Sequence, residues 1–82
     1  MKEKMNYNLY SIQDTLVGFN APYLMVNDNV AKREYANFLK KTTNPTDMRL
    51  YKIATFDDTT GTIIPLPALE QLMGGGDNEG NI

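Results

Sequence analysis

The chain predicts a small α+β domain: a three- to four-stranded, mainly antiparallel sheet with one amphipathic helix on one face, in the order β-β-α-β-β. Two stretches carry that prediction. The first is Leu50 to Ile64, a run of β-branched and aromatic residues broken by Asp57-Asp58-Thr59-Thr60-Gly61. Such residues fit a pleated, half-buried surface, and an Asp/Thr run closed by glycine suits a tight turn. The second is the recurrence of Ala31, Tyr35, Phe38 and Leu39 at i, i+4, i+7 and i+8, which is one face of a helix.

In chain order, Asn6 to Asp14 reads as the first strand. Tyr10 and Ile12 share one face of it, and Tyr7 and Leu9 the other, so it belongs in the middle of the sheet or under cover on both sides. Asp14-Thr15 opens a turn, and Gly18, Asn20 and Pro22 mark a loop pinned by Phe19. Pro22 to Asn27 is a short second strand or extended entry. Asn27 or Asp28 then caps a helix that runs to about Lys41. Thr42 to Asp47 is a linker, because Pro45 forbids continuing the helix. The hairpin follows. Its first arm does not alternate cleanly, and a bulge near Ala54 would bring Ile53 and Phe56 into register. Pro65 and Pro67 should stop its second arm near Leu66. Ala68 to Met73 can then form a short helical turn with Leu69, Leu72 and Met73 on one face. The expected domain is residues 1–73, with 74–82 a flexible, acidic, glycine-rich tail.

Composition removes most chemistry. The 82 residues suffice for one domain with a small core, so self-association as a dimer or larger assembly is expected to add burial. With no Cys and no His, there is no disulfide, thiolate, imidazole base or common zinc ligand. Asp57-Asp58 sits where Asp is favoured for backbone hydrogen bonds, and the spacing of a calcium loop is absent. An enzyme is not expected, and neither is a cofactor or a metal. No apolar run is long enough to span a bilayer.

Charge points elsewhere. The chain carries ten acids and eight bases, a net charge of −2. Yet from Asn27 to Lys52 six bases face three acids. Those bases, Lys32, Arg33, Lys40, Lys41, Arg49 and Lys52, are candidate phosphate contacts. Tyr7 and Tyr51 are the candidate platforms on which bases could stack. A solvated helix face ending in lysines that complement the helix dipole explains the same pattern without a ligand.

An ordered series of short motifs adds to this. Tyr10-Ser11-Ile12-Gln13-Asp14 is followed by Phe19, Pro22-Tyr23, Asn27 and Ala31-Lys32-Arg33-Glu34-Tyr35. After Asn44-Pro45 come Asp47-Met48-Arg49-Leu50-Tyr51-Lys52-Ile53-Ala54-Thr55-Phe56-Asp57 and Thr60-Gly61. From about Tyr10 to Leu66 this resembles the small nonstructural protein of gokushovirus-type microviruses, phages with circular single-stranded DNA. Two features depart from that pattern: Ala54 stands where glycine is expected, and the linker before Pro45 is short. The resemblance implies a non-capsid, single-stranded-DNA-binding protein in the host cytoplasm. It would act in genome replication or in the switch to single-strand synthesis and packaging. The alternative is a module that binds a phage replication or capsid protein, or a host factor, through apolar surface and an exposed strand edge.

Overall fold

The computed structural model describes residues 6–74. Five strands and one α-helix follow in order: β1 (Asn6–Asp14), β2 (Gly18–Phe19), β3 (Tyr23–Met25), α1 (Asp28–Leu39), β4 (Met48–Asp57) and β5 (Thr62–Gly74). A 3-10 turn, Pro45–Asp47, leads into β4. All pairings are antiparallel, in the order β2-β1-β4-β5, and β3 also pairs with β1. Because β4 runs along the whole of β1, β2 and β3 share its other edge. The expected α+β class and the central place of the first strand both hold. The two-residue β2 falls in what the sequence presents as loop.

The helix begins where a side chain can replace a missing backbone partner. Asn27 is extended, and its Oδ1 accepts from the Val30 N–H at 2.9 Å. One face of α1 then buries Ala31 and Tyr35 against Tyr10, Ile12, Met48 and Leu50, with Phe38, Leu39, Met25 and Leu72 around them. The Tyr35 hydroxyl donates to the buried Met48 carbonyl at 2.9 Å. A helix of 12 residues is roughly 18 Å long, whereas the molecule extends 44 Å. The helix therefore covers only part of one face. At the far end of the hairpin Ile63 and Ile64 are half exposed.

The hairpin turn is built as its residues suggest. Asp57 Oδ1 accepts from Thr59 and Thr60 N–H, and the Gly61 N–H donates to the Asp57 carbonyl at 2.7 Å. Gly61 has φ of +74°. The expected bulge is also present, at Ile53. Leu9 pairs with Ala54 and Tyr10 with Lys52, leaving Ile53 unmatched.

Beyond the turn the sequence misleads. The second arm does not stop at the prolines, and Ala68–Met73 is strand, not helix. Among the described residues β5 pairs only with β4, so its outer edge needs no N–H donors, and proline is tolerated there. Pro65 stays in the ladder opposite Ala54, while Leu66 to Leu69, including Pro67, loop out opposite Ile53 alone. Pairing resumes at Glu70–Lys52 and ends at Gly74–Arg49. Six residues would make under two helical turns, too few to offset the ladder they would give up. Gly74, assigned to the tail from sequence, is thus the end of a strand; the rest of that tail lies outside the described residues.

A polar node joins helix to sheet. Asn8 donates to the Tyr10 hydroxyl at 3.0 Å, and Tyr10 donates to Asp28 Oδ1 at 2.6 Å. Lys52 Nζ lies 3.3 Å from the same Asp28 oxygen and 3.6 Å from Glu70 Oε1. The Tyr10 hydrogen bond, helped by Lys52, holds the Asp28 carboxyl below its ordinary value of 3.8 despite partial desolvation. Burial first, and then the bond to Asp28, push the Tyr10 phenol up to about 12.

Two predictions follow from this geometry. Gly74 has φ of +110°, and a Cβ there would meet the Met48 carbonyl oxygen, Arg49 Cα at 2.7 Å and the Tyr35 hydroxyl at 2.8 Å. Gly74→Ala should cost on the order of 1–3 kcal/mol in urea unfolding. For Asp28, the unfolded chain binds the proton more readily than the folded one. Its stabilisation is complete above the ordinary carboxyl value and is lost as pH falls through the lower, folded one. Asp28→Asn should cost about 1 kcal/mol at neutral pH and flatten the stability loss between neutral pH and about pH 2. Tyr10 works in the opposite sense: its share is full below pH 10.0 and is lost as pH rises toward 12.

Candidate nucleic-acid interface

The helix leaves the other face of the sheet uncovered, and strand parity decides what stands on it. Four cross-strand rows can be read from the pairing. Tyr7, Phe56 and Ile63 form the first row. Leu24, Leu9, Ala54 and Pro65 form the second. Ser11, Tyr51 and Gln71 form the third. Phe19, Gln13 and Arg49 end the series. The Phe19 and Tyr51 rings touch with centroids 5.6 Å apart at 51°. Tyr7 stands two rows from Tyr51, roughly 13 Å at about 3.3 Å per residue.

This face has a distinctive charge. Arg49 is the one formal charge in the four rows. Every carboxylate in the described strands has the opposite parity: Asp14 pairs with Met48, Asp57 with Asn6 and Glu70 with Lys52. A chain with more acids than bases thus keeps acids off one side of its sheet. The face is also partly wet. Phe19 is 49% exposed and Leu69 49%, whereas Tyr7, Tyr51, Ile53 and Phe56 are half-buried. Ser11 is buried and donates to the Asn20 carbonyl at 2.7 Å, tying the loop after β2 beside this face. There Phe19, Ile53, Pro22 and Leu69 line a shallow apolar pocket of about 270 Å³.

The candidate residues are thereby divided. Tyr7, Tyr51 and Arg49 share the open face. Lys52 does not join them: it lies three positions from Arg49, an odd step, and the bulge comes only after it. It points to the helix side, where Asp28 and Glu70 hold it and its side chain is 17% exposed. Lys32 and Arg33 are exposed on α1, and Lys40 and Lys41 just past its end, across the sheet from the tyrosines. Among the described residues Lys52 alone forms these ion pairs, and Arg33 makes none with Glu34 or Asp28. Lys32 lies near enough to Asp28 to favour its ionised form. The six cations therefore do not form one basic surface.

Phe19 is the member of the open face that the sequence conceals. Its place depends on β2 pairing Phe19 with Gln13, a contact of two residues that no local pattern announces. Among the described residues, no group of acids could hold a metal ion, and no helix is long and apolar enough to cross a membrane.

Neither a curated protein nor a solved structure matches this chain. A family model described as Phage ORF5 protein matches residues 7–78, nearly the whole chain. The chain belongs to the Phage ORF5 protein family, and it is a phage protein.

Proposed function

We propose that the chain is a single-stranded-DNA-binding nonstructural protein of a gokushovirus-type microvirus, acting in genome replication or in the switch to single-strand synthesis and packaging in the host cytoplasm. The supporting observation is the open sheet face: aromatic rings and one arginine, with every strand carboxylate turned away. Bases stack on Tyr51, Phe19 and Tyr7, which tolerate any sequence because every base offers a π-face. Arg49 meets a phosphate beside them. Lys32, Arg33, Lys40 and Lys41 act at longer range, raising the local concentration of a polyanion without touching the stacked bases. Lys52 serves the fold and not the ligand. The phage family supports the setting, and the absence of His and Cys from the sequence favours binding over catalysis.

The competing reading is a protein-interaction module. The free edge of β5 and the half-exposed apolar groups beside it, Ile63 and Leu69, favour that reading.

Fluorescence anisotropy with a labelled single-stranded oligonucleotide, at low and moderate salt, separates the two. Binding should weaken as salt rises. Tyr51→Ala should lose about 1–3 kcal/mol, roughly 5- to 150-fold in Kd. Arg49→Ala should reduce the log–log salt slope by about 0.7. Lys52→Ala should leave that slope unchanged and lower the unfolding midpoint instead. No anisotropy change at low salt would end the DNA reading and leave the protein partner.

A further inference from the structure

We infer that this chain associates head to tail, the turn between β1 and β2 of one copy entering the groove between α1 and β3 of the next. The turn is an unusual place for apolar side chains. Leu16 is 73% exposed and Val17 86%, the most exposed large apolar residues described. The backbone beneath them is hydrogen-bonded at each residue. The Leu16 N–H donates to Asp14 Oδ1 at 2.9 Å, the Val17 N–H to the Asp14 carbonyl at 2.9 Å, and the Thr15 N–H to the Asp47 carbonyl at 3.0 Å. A turn whose backbone is tied by three hydrogen bonds to Asp14 and Asp47 loses less backbone entropy on docking than a free loop.

The same chain carries the complementary hollow. Tyr23, Met25, Ala31, Tyr35 and Phe38 line a cavity of about 400 Å³ beside the helix, open to solvent. That is room for two aliphatic side chains. Charge agrees with the fit. Lys41 stands on the rim with Lys40 next to it, while Asp14 and Asp47 flank the protruding turn. Glu34 also lines the groove, about two helical turns before Lys41, so the acid-flanked turn enters at the lysine end. The donor and receiver surfaces differ, so the contact is heterologous and propagates into a ring or filament rather than closing as a dimer. The contact is small, so it is weak in free solution and strengthens when copies are held side by side on a common partner. The inference does not depend on DNA binding.

The test uses the full chain without nucleic acid, followed by sedimentation velocity up to a concentration on the order of 1 mM. Wild type should rise past a dimer in average mass as concentration increases. Leu16→Ser/Val17→Ser should weaken self-association at least tenfold, with an unchanged far-UV spectrum. Asn37→Trp, on the exposed rim, should do the same by filling the groove. The decisive result is the mixture. Each variant keeps the half that the other lacks, so equal amounts should form a one-to-one pair that grows no further. Wild type that stays monomeric throughout overturns the inference. So does association that survives the turn variant, or a mixture that forms no pair.

Discussion

One extra residue in β4 sets the character of both faces of the sheet. Ile53 has no partner in β1, and on the other side it faces the four looped-out residues of β5. Before it, Met48, Leu50 and Lys52 point to the helix; after it, the parity reverses and Ala54 and Phe56 join Tyr51 on the opposite side. Were Ile53 to take its own place in the ladder, Phe56 would sit on the helix side and Thr55 on the open one. The helix is too short to reach that far, so an aromatic ring there would gain no cover. Ala54 illustrates the result. It is buried, yet it lies outside the cluster at the helix, because it faces the opposite side of the sheet.

The asymmetry that follows is thermodynamic as well as geometric. Where α1 meets the sheet, six residues form the buried cluster, and polar groups at its margin are matched: Tyr35 to a carbonyl, Tyr10 to Asp28, Lys52 to two carboxylates. A domain this small has little surplus stability. Leaving the second face of the sheet half wet therefore costs burial that the chain could use. That face carries four aromatic rings among its aliphatic groups, one guanidinium and no carboxylate, which is the surface the proposed ligand would use.

What could be read from the sequence was whatever short-range chemistry determines. The Asn27 cap, the period of Ala31 and Tyr35 and the Asp57–Gly61 turn each announce themselves within a few residues. The bulge was legible too, because Ile53 and Phe56 cannot share a face at period two. The path of β5 was not. Pro65, Pro67 and the spacing of Leu69, Leu72 and Met73 all argue locally for a stop and a helical turn. The strand wins through pairing with residues some 20 positions earlier, on an edge where proline loses nothing. The site was half legible for the same reason. Tyr7, Tyr51 and Arg49 meet by strand parity, but the separation of the helix cations from them depends on which face α1 covers. Lys52 is taken by an acid from the helix and another from β5, neither near it in sequence.

The two surfaces proposed for partners are compatible because they use different sides of the same strands. Leu16 and Val17 extend from the end of β1 and the groove opens beside α1, whereas Tyr51, Phe19 and Arg49 stand on the face away from the helix. Lys41 lines that groove, and none of Lys32, Arg33, Lys40 and Lys41 stands in the aromatic rows. Each contact is weak taken alone: one small apolar docking, one or two stacked bases, one arginine. On a long flexible polyanion, however, every bound copy raises the effective concentration at which the next one meets its groove, and stacking and docking multiply instead of adding. A chain with a small core and an overall negative charge can coat such a partner without a continuous basic surface. It needs only one acid-free face and a way to touch its neighbour.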